Sequence, residues 1–294
     1  YDGLWHCKNL IVNLTTVDDL SGVFQTYYRI NGGTIQNIRS YGQPHITTEG
    51  ANNTLEYWSV DNAGNEELPH KILTGIKLDK TPPISSISLS GVMGRNNWLI
   101  SNVTIALAAK DNVSGVDGIK YSFDNITWTK YITPLIFSDE DYVSIYYKST
   151  DKAGNVETIK KETIKSDRTS PTISITSPSP GYEIRSSTIT FAWTGSDRAS
   201  GISHYEISLD SGSWINAGTN ITYTFAGIGD GSHIINIKAT DKAGNTKQDT
   251  VGFTINTSPL FGPGYLEESL VIATIIMVSL ATVLYHLKIR ERLA

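Results

Sequence analysis

The pentapeptide Asp61-Asn62-Ala63-Gly64-Asn65 returns as Asp151-Lys152-Ala153-Gly154-Asn155 and again as Asp241-Lys242-Ala243-Gly244-Asn245, at intervals of 90 residues. A fixed interval of that length means one structural unit used repeatedly, and it restricts the fold more than any compositional figure does. Two further signatures keep step with it. D-x-x-S-G-[V/I] occurs at 18–23, 111–116 and 197–202, and D-[K/R]-T-x-P at 79–83 and 167–171. The order of the signatures is the same each time.

Within a unit the apolar residues alternate, which is the period of a strand with one buried face. Leu55, Tyr57 and Ser59 alternate with Glu56, Trp58 and Val60 ahead of the first D-x-A-G-N, and the register recurs at Ile145, Tyr147, Ser149 and at Ile235, Ile237, Ala239. Val103, Ile105, Leu107 and Ile189, Phe191, Trp193 mark a second core strand. No stretch before residue 266 has a helical period. About seven short strands per unit, punctuated by turn signals, is the pattern of an immunoglobulin-like sandwich. D-x-A-G-N then becomes the hairpin turn before the last strand, where the glycine supplies positive φ and the aspartate caps the turn.

The strings LEYWSVDNAGNEE, YYKSTDKAGNVE and LDKTPP resemble the Ig-like repeats of bacterial and archaeal surface proteins and adhesins. The resemblance covers residues 1 to about 257 and implies stalks, spacers or adhesive modules. Cys7 is the only cysteine, so the intersheet disulfide of secreted eukaryotic Ig domains is excluded, which agrees with a prokaryotic surface protein.

The expected fold is therefore all-β: three tandem Ig-like β-sandwich repeats, at 1–80, 81–168 and 169–257, then a linker (258–268), one transmembrane helix (269–287) and a cytoplasmic basic tail (288–294). Trp5 to Asn9 matches Trp98 to Asn102, but only four residues precede Trp5 whereas strand A precedes Trp98, so the first repeat reads as N-terminally incomplete with more chain upstream. Residues 269–287 contain no Asp, Glu, Lys or Arg, follow Glu267 and Glu268, and are trailed by Lys288, Arg290 and Arg292. That charge order puts the repeats outside and the C-terminus inside. The lipid bilayer is thus an expected partner, with surface glycans or other cell-surface proteins beside it. A net charge of −5 with scattered acids offers no face for nucleic acid.

No catalytic constellation is legible. The six histidines fall in no metal-ligand spacing, and there is no nucleophile elbow, P-loop or dinucleotide motif. Gly229-Asp230-Gly231-Ser232-His233 sits where a turn is expected. The chain reads as a non-enzymatic stalk; the alternatives are an adhesin or carbohydrate- or protein-binding ectodomain, and the membrane stalk of a surface enzyme whose catalytic domain lies upstream. Trp58 and Tyr146, on the face opposite the core register, are the candidates for a glycan or partner contact. Sequons at Asn13, Asn52, Asn102, Asn112, Asn125, Asn220 and Asn256 are candidate glycosylation sites.

In an Ig-like sandwich the B–C and F–G loops share the pole at which strand A enters. The motif aspartates should then gather as Asp79, Asp111, Asp151 and as Asp167, Asp197, Asp241. Two readings stand side by side: each aspartate caps its own turn, the commoner job, or each set holds a structural Ca²⁺, whose preferred ligands are carboxylate and carbonyl oxygens. No other cofactor is expected.

Overall fold

The computed structural model describes residues 1–258, 274–282 and 288. The first repeat comprises β1 (Trp5–His6), β2 (Leu10–Ile11), β3 (Val23–Ile30), β4 (Gln36–Asn37), α1 (Ile38–Tyr41), β5 (His45–Ile46), β6 (Gly50–Asp61) and β7 (Lys71–Leu78). The second comprises β8 (Ile84–Ser90), β9 (Val103–Lys110), β10 (Val116–Ser122), β11 (Thr129–Lys130), β12 (Leu135–Phe137), β13 (Asp141–Asp151) and β14 (Lys160–Ser166). The third comprises β15 (Thr172–Ser177), β16 (Glu183–Ile184), β17 (Ile189–Ser196), β18 (Ile202–Leu209), β19 (Ile215–Gly218), β20 (Thr222–Phe225), β21 (Gly231–Asp241) and β22 (Thr246–Ile255).

Each repeat segment folds into two sheets. In the first, the order β1-β7-β6-β3-β4 faces the β2-β5 pair; in the second, β11-β10-β13-β14 faces β12-β9-β8; in the third, β16-β22-β21-β18-β19 faces β15-β17-β20. By compactness the chain forms two units, one of Tyr1–Thr169 with Arg198–Gly201 and Lys242–Asn245, the other of Ser170–Asp197, Ile202–Asp241 and the residues from Thr246 onward.

The alternating registers fill the cores. Ile145 and Tyr147 are buried with Val103, Ile105 and Ile164, and Ile235, Ile237 and Ala239 are buried with Phe191 and Trp193. Period-2 alternation explains this, since every second side chain of a strand faces the opposing sheet. In the turn after β13, Gly154 has φ +91° and open space beyond its α-carbon, and Asp151 accepts the Asn155 N–H on Oδ1 and the Asn155 amide on Oδ2. Gly154→Val meets no clash but forces a β-branched residue into the left-handed region. It should cost the second repeat about 1–3 kcal/mol in a denaturation midpoint shift.

Three expectations need correction. Trp58 is not an exposed platform: it is 6% exposed, its ring lies 4.1 Å from that of His70 at an interplanar angle of 4°, and Tyr27 stacks at 5.8 Å. Trp58 stands where the other repeats carry Lys148 and Lys238, which instead lie over the rings of Trp128 and Trp214 at 4.2 and 4.6 Å. An aromatic at that position recruits neighbours that cover it; a lysine snorkels to solvent. Tyr57, expected in the core, is only half-buried. Among the described residues before 259 there is a single helical turn, α1; Asn37 caps it by accepting the Ser40 N–H.

The His70 imidazole is held between Glu56 Oε1 and Glu66 Oε1, both at 2.7 Å. Hydrogen bonds to Glu66 and Glu56 raise its pKa above 6.5. The imidazolium and its stabilising contacts are therefore complete below the ordinary histidine value and are lost as pH rises through the raised one. An NMR titration should give His70 a midpoint above 6.5.

The expected span 269–287 lies largely outside the described residues. Residues 274–282 are helical and exposed throughout. Among the described residues no helix is long and apolar enough to cross a membrane.

Candidate metal centre

The D-K-T-P-P linker leaves β7 with Asp79 wholly buried, because its backbone N–H is tied to the His6 carbonyl. The Asp79 carboxylate accepts the Thr81 N–H on Oδ1 (3.0 Å) and the Ser114 N–H on Oδ2 (2.9 Å). That second bond draws the 111–115 loop onto the linker. Within this loop Asp111 Oδ1 accepts the N–H groups of Val113 (3.1 Å) and Gly115 (2.7 Å). From the turn after β13, Asn155 reaches across with its amide to the Asp79 carbonyl at 2.8 Å, which brings Asp151 to the same place.

As a result Asp79, Asp111 and Asp151 each present a carboxylate oxygen, all within 4.8 Å of one another. Asp79 and Asp151 are buried and Asp111 is half-buried. With Ca–O distances of about 2.3–2.6 Å, two oxygens on one Ca²⁺ can be at most roughly 5 Å apart, so the spacing fits. Among the described residues no Lys, Arg or His forms an ion pair with any of the three; the neighbouring Lys80 ammonium turns to Asn9 Oδ1 and the Thr47 carbonyl. Asp111 Oδ2 accepts no hydrogen bond there, and Ser114, 6% exposed, has an Oγ with no partner. Three like charges at this range repel one another unless a cation joins them.

Asp79, Asp111 and Asp151 thus each cap their own turn, and their carboxylates also come together. Asp167 is wholly buried and accepts the N–H groups of Thr169 and Ser200, repeating the pattern of Asp79. Asp197 directly follows β17, and Asp241, wholly buried, ends β21.

Of the sequon asparagines, Asn13, Asn52, Asn102, Asn112, Asn125 and Asn220 are exposed and Asn256 is half-buried. His233, in the Gly229–His233 string, bonds Asp210 Oδ2 at 2.7 Å and the Gly229 carbonyl, which is turn chemistry. Tyr146 is half-buried beneath Lys161, whose Nζ lies 5.6 Å from the ring centre.

Sequence reasoning missed one polar constellation, in the second repeat. Glu157, 7% exposed, accepts the Ser85 N–H (2.9 Å), the Ser85 hydroxyl (2.5 Å), and the N–H and hydroxyl of Ser149 (3.2 and 2.9 Å), and pairs with Lys160 at 2.5 Å. Burial opposes ionisation of Glu157, yet the bonds from Lys160, Ser85 and Ser149 prevail and hold its pKa at about 2. This cluster fastens strand A, β8, to the opposite sheet. The only hint in the sequence was the recurrence of Glu67 and Glu157 at the same place in two repeats.

A family model described as bacterial Ig domain matches residues 171–237. Similar solved structures include a tetra-tandem repeat from the extending region of a large adhesion protein, 16% identical, with 80% of this chain and 67% of that one covered (TM-score 0.35). They also include a segment of a 1.5-MDa bacterial ice-binding adhesin, 15% identical, with 85% and 90% covered (TM-score 0.32). Fibronectin(III)-like modules of Clostridium thermocellum CbhA are 16% identical, with 60% and 97% covered (TM-score 0.31). No curated protein matches the chain.

Proposed function

We infer that this chain is a non-enzymatic cell-surface spacer, anchored in the membrane through residues 269–287, whose first junction is stiffened by Ca²⁺. The observation that carries the reading is the meeting of Asp79, Asp111 and Asp151, one from a linker and two from turns of the next repeat. A short linker between sandwiches is a hinge by default. A divalent ion that ligates the linker and the two turns removes that freedom, which is what a spacer needs. The unpartnered Ser114 hydroxyl supports it, as a buried oxygen in the same loop for which an ion or its water would be a partner.

The anchor is supported by the uncharged sequence of residues 269–287 and by the helix over 274–282. There the hydroxyls of Ser279 and Thr282 bond back to the carbonyls of Ile275 and Val278, at 2.6 and 2.7 Å. Back-bonding of this kind lets a hydroxyl sit in an apolar surrounding. Protease added to intact cells should remove the repeats and leave a small membrane-bound fragment; survival of the repeats would refute the orientation.

The metal is tested by the melting temperature of the full chain in detergent, with Ca²⁺ and with chelator. At a concentration of a hundred times Kd, one site contributes about 2.7 kcal/mol, enough to raise the unfolding of an 80–100-residue repeat by roughly 4–8 °C per kcal/mol where the transition is resolved. Asp111→Asn should reduce the rise. Equal melting temperatures with Ca²⁺ and chelator would remove the metal from the reading while leaving the spacer in place.

A further inference from the structure

In the second repeat Ile119, Ile145, Tyr147 and Ile164 turn into the sandwich. The alternate residues of β10, β13 and β14 therefore form the outer face of the sheet β11-β10-β13-β14. Strand register fixes what that face carries. Lys130, Lys120 and Lys148 lie directly opposite one another across β11, β10 and β13. Lys161 lies opposite Tyr146, and Lys165 opposite Tyr142, across β13 and β14. Five lysines thus share one face of a chain whose net charge is −5, and no Asp or Glu stands among the paired residues of that face. Among the described residues none of the five forms an ion pair. From the row of Lys148 to the row of Lys165 the face extends about 20 Å along β13, at roughly 3.3 Å per residue.

The equivalent faces of the other repeats are balanced. In the third, Lys238 faces Glu206 across β21 and β18 and pairs with it at 2.6 Å. In the first, Arg29 faces Glu56 across β3 and β6 and pairs with it at 2.6 Å. Lys120 occupies the place of Glu206, opposite Lys148 as Glu206 is opposite Lys238, and Lys130 lies on its other side. Like charges directly opposite destabilise a sheet, so folding alone gives no reason for this row. The lysines are also held in place. Lys148 Nζ lies 4.2 Å from the ring centre of Trp128, Lys161 Nζ 5.6 Å from that of Tyr146 and Lys165 Nζ 5.5 Å from that of Tyr142. Each ring attracts its ammonium and is covered by it. Between the lysine rows Ser144 lies opposite Thr163, and among the described residues neither hydroxyl has a hydrogen-bond partner.

We propose that this face binds an acidic polysaccharide, whose carboxylates or sulfates lie on the lysine rows and whose sugar hydroxyls meet Ser144 and Thr163. A face about 20 Å long suits a polymer rather than a single anion. A bound anionic chain also offsets the repulsion within the Lys130, Lys120 and Lys148 row, because each ammonium gains an opposite charge. The rings favour a sugar polymer over a single-stranded nucleic acid. Their faces are taken by ammonium groups, so bases have no platform on which to stack. For the same reason no ring is free to enter a bilayer interface. The polysaccharide site rests on the surface-spacer reading only for its exposure to such polymers, and it depends on neither the anchor nor the Ca²⁺ junction.

The probes are fluorescently labelled polygalacturonate and dextran sulfate, with neutral dextran as control. They are titrated against the full chain in uncharged detergent and chelator and read by anisotropy. Saturable binding to at least one acidic polymer is expected, falling as salt rises, with none to dextran. Lys120→Glu, which restores the third repeat's pairing, should weaken binding at least tenfold and raise the melting temperature of the second repeat, since Lys148 and Lys130 gain a partner. A purely structural lysine would not move the two readouts in opposite directions. Lys161→Ala should also weaken binding, whereas Lys110→Ala, exposed on the opposing sheet, should leave it unchanged. Binding to neither acidic polymer, equal binding to dextran, or binding unchanged by both Lys120→Glu and Lys161→Ala would overturn the proposal. So would tighter binding to a single-stranded oligonucleotide or to phosphatidylglycerol vesicles. Chelator keeps every one of these results independent of the Ca²⁺ junction.

Discussion

Replacing Trp193 by alanine is expected to destabilise the third repeat by about 3–5 kcal/mol, the largest effect of any single truncation in that core. Trp193 is 1% exposed, meets Tyr205 edge-on at 5.7 Å, and belongs to the cluster that holds Phe191, Ile207, Ile237 and Phe253. An alanine leaves a cavity that two sheets cannot close without breaking the pairing of β17 with β15 and β20. The indole Nε1 has no hydrogen-bond partner, so the loss comes from packing alone, and Trp193→Phe should recover much of it. Trp214, 40% exposed, serves as the control: Trp214→Ala should stay within about 0.5 kcal/mol. Denaturant titration with hydrogen exchange over β17, β21 and β22 separates the two. A Trp193→Ala midpoint within error of the wild type would mean that the core is wrongly assigned.

Glu157→Ala should destabilise the second repeat by about 3 kcal/mol, as expected when a buried carboxylate is removed and the hydrogen-bond donors that faced it stay behind. Four donors from Ser85 and Ser149 lose their acceptor, and Lys160 keeps only the Ser85 carbonyl. The same group makes the repeat acid-sensitive with a defined sign. Its folded pKa of about 2 lies below its ordinary 4.5. The contribution of Glu157 is therefore complete above about pH 4.5 and is lost as the pH falls toward 2. The difference is worth on the order of 3 kcal/mol. Glu157→Gln should flatten this segment of the pH–stability curve. An unchanged acid limb in the glutamine variant would assign the acid sensitivity to other carboxylates.

Much of the fold was legible because it rests on local rules applied along the chain. The 90-residue interval announced repetition, alternation at Ile145–Ser149 and Ile235–Ala239 announced the core strand, and glycine at 154 announced a turn needing φ +91°. The meeting of Asp79, Asp111 and Asp151 was also legible, because the sandwich topology fixes which loops share a pole. What the sequence could name was therefore which residues repeat, which face they share and which turns they make.

Distances and substitutions across sheets belonged to the tertiary structure. Trp58 reads as a contact candidate in sequence because alternation gives a face but not what lies over it, and only folding brings His70 and Tyr27 onto its ring. The Ser85–Glu157 clamp joins residues 72 apart in the chain, a pairing no local pattern encodes. The 4.8 Å spacing of Asp79, Asp111 and Asp151 depends on the Ser114 N–H and the Asn155 amide drawing two turns onto one linker. Periodicity is a property of the backbone and survives in one dimension; contact between side chains from different strands is set by how the sheets pack, and exists only in three.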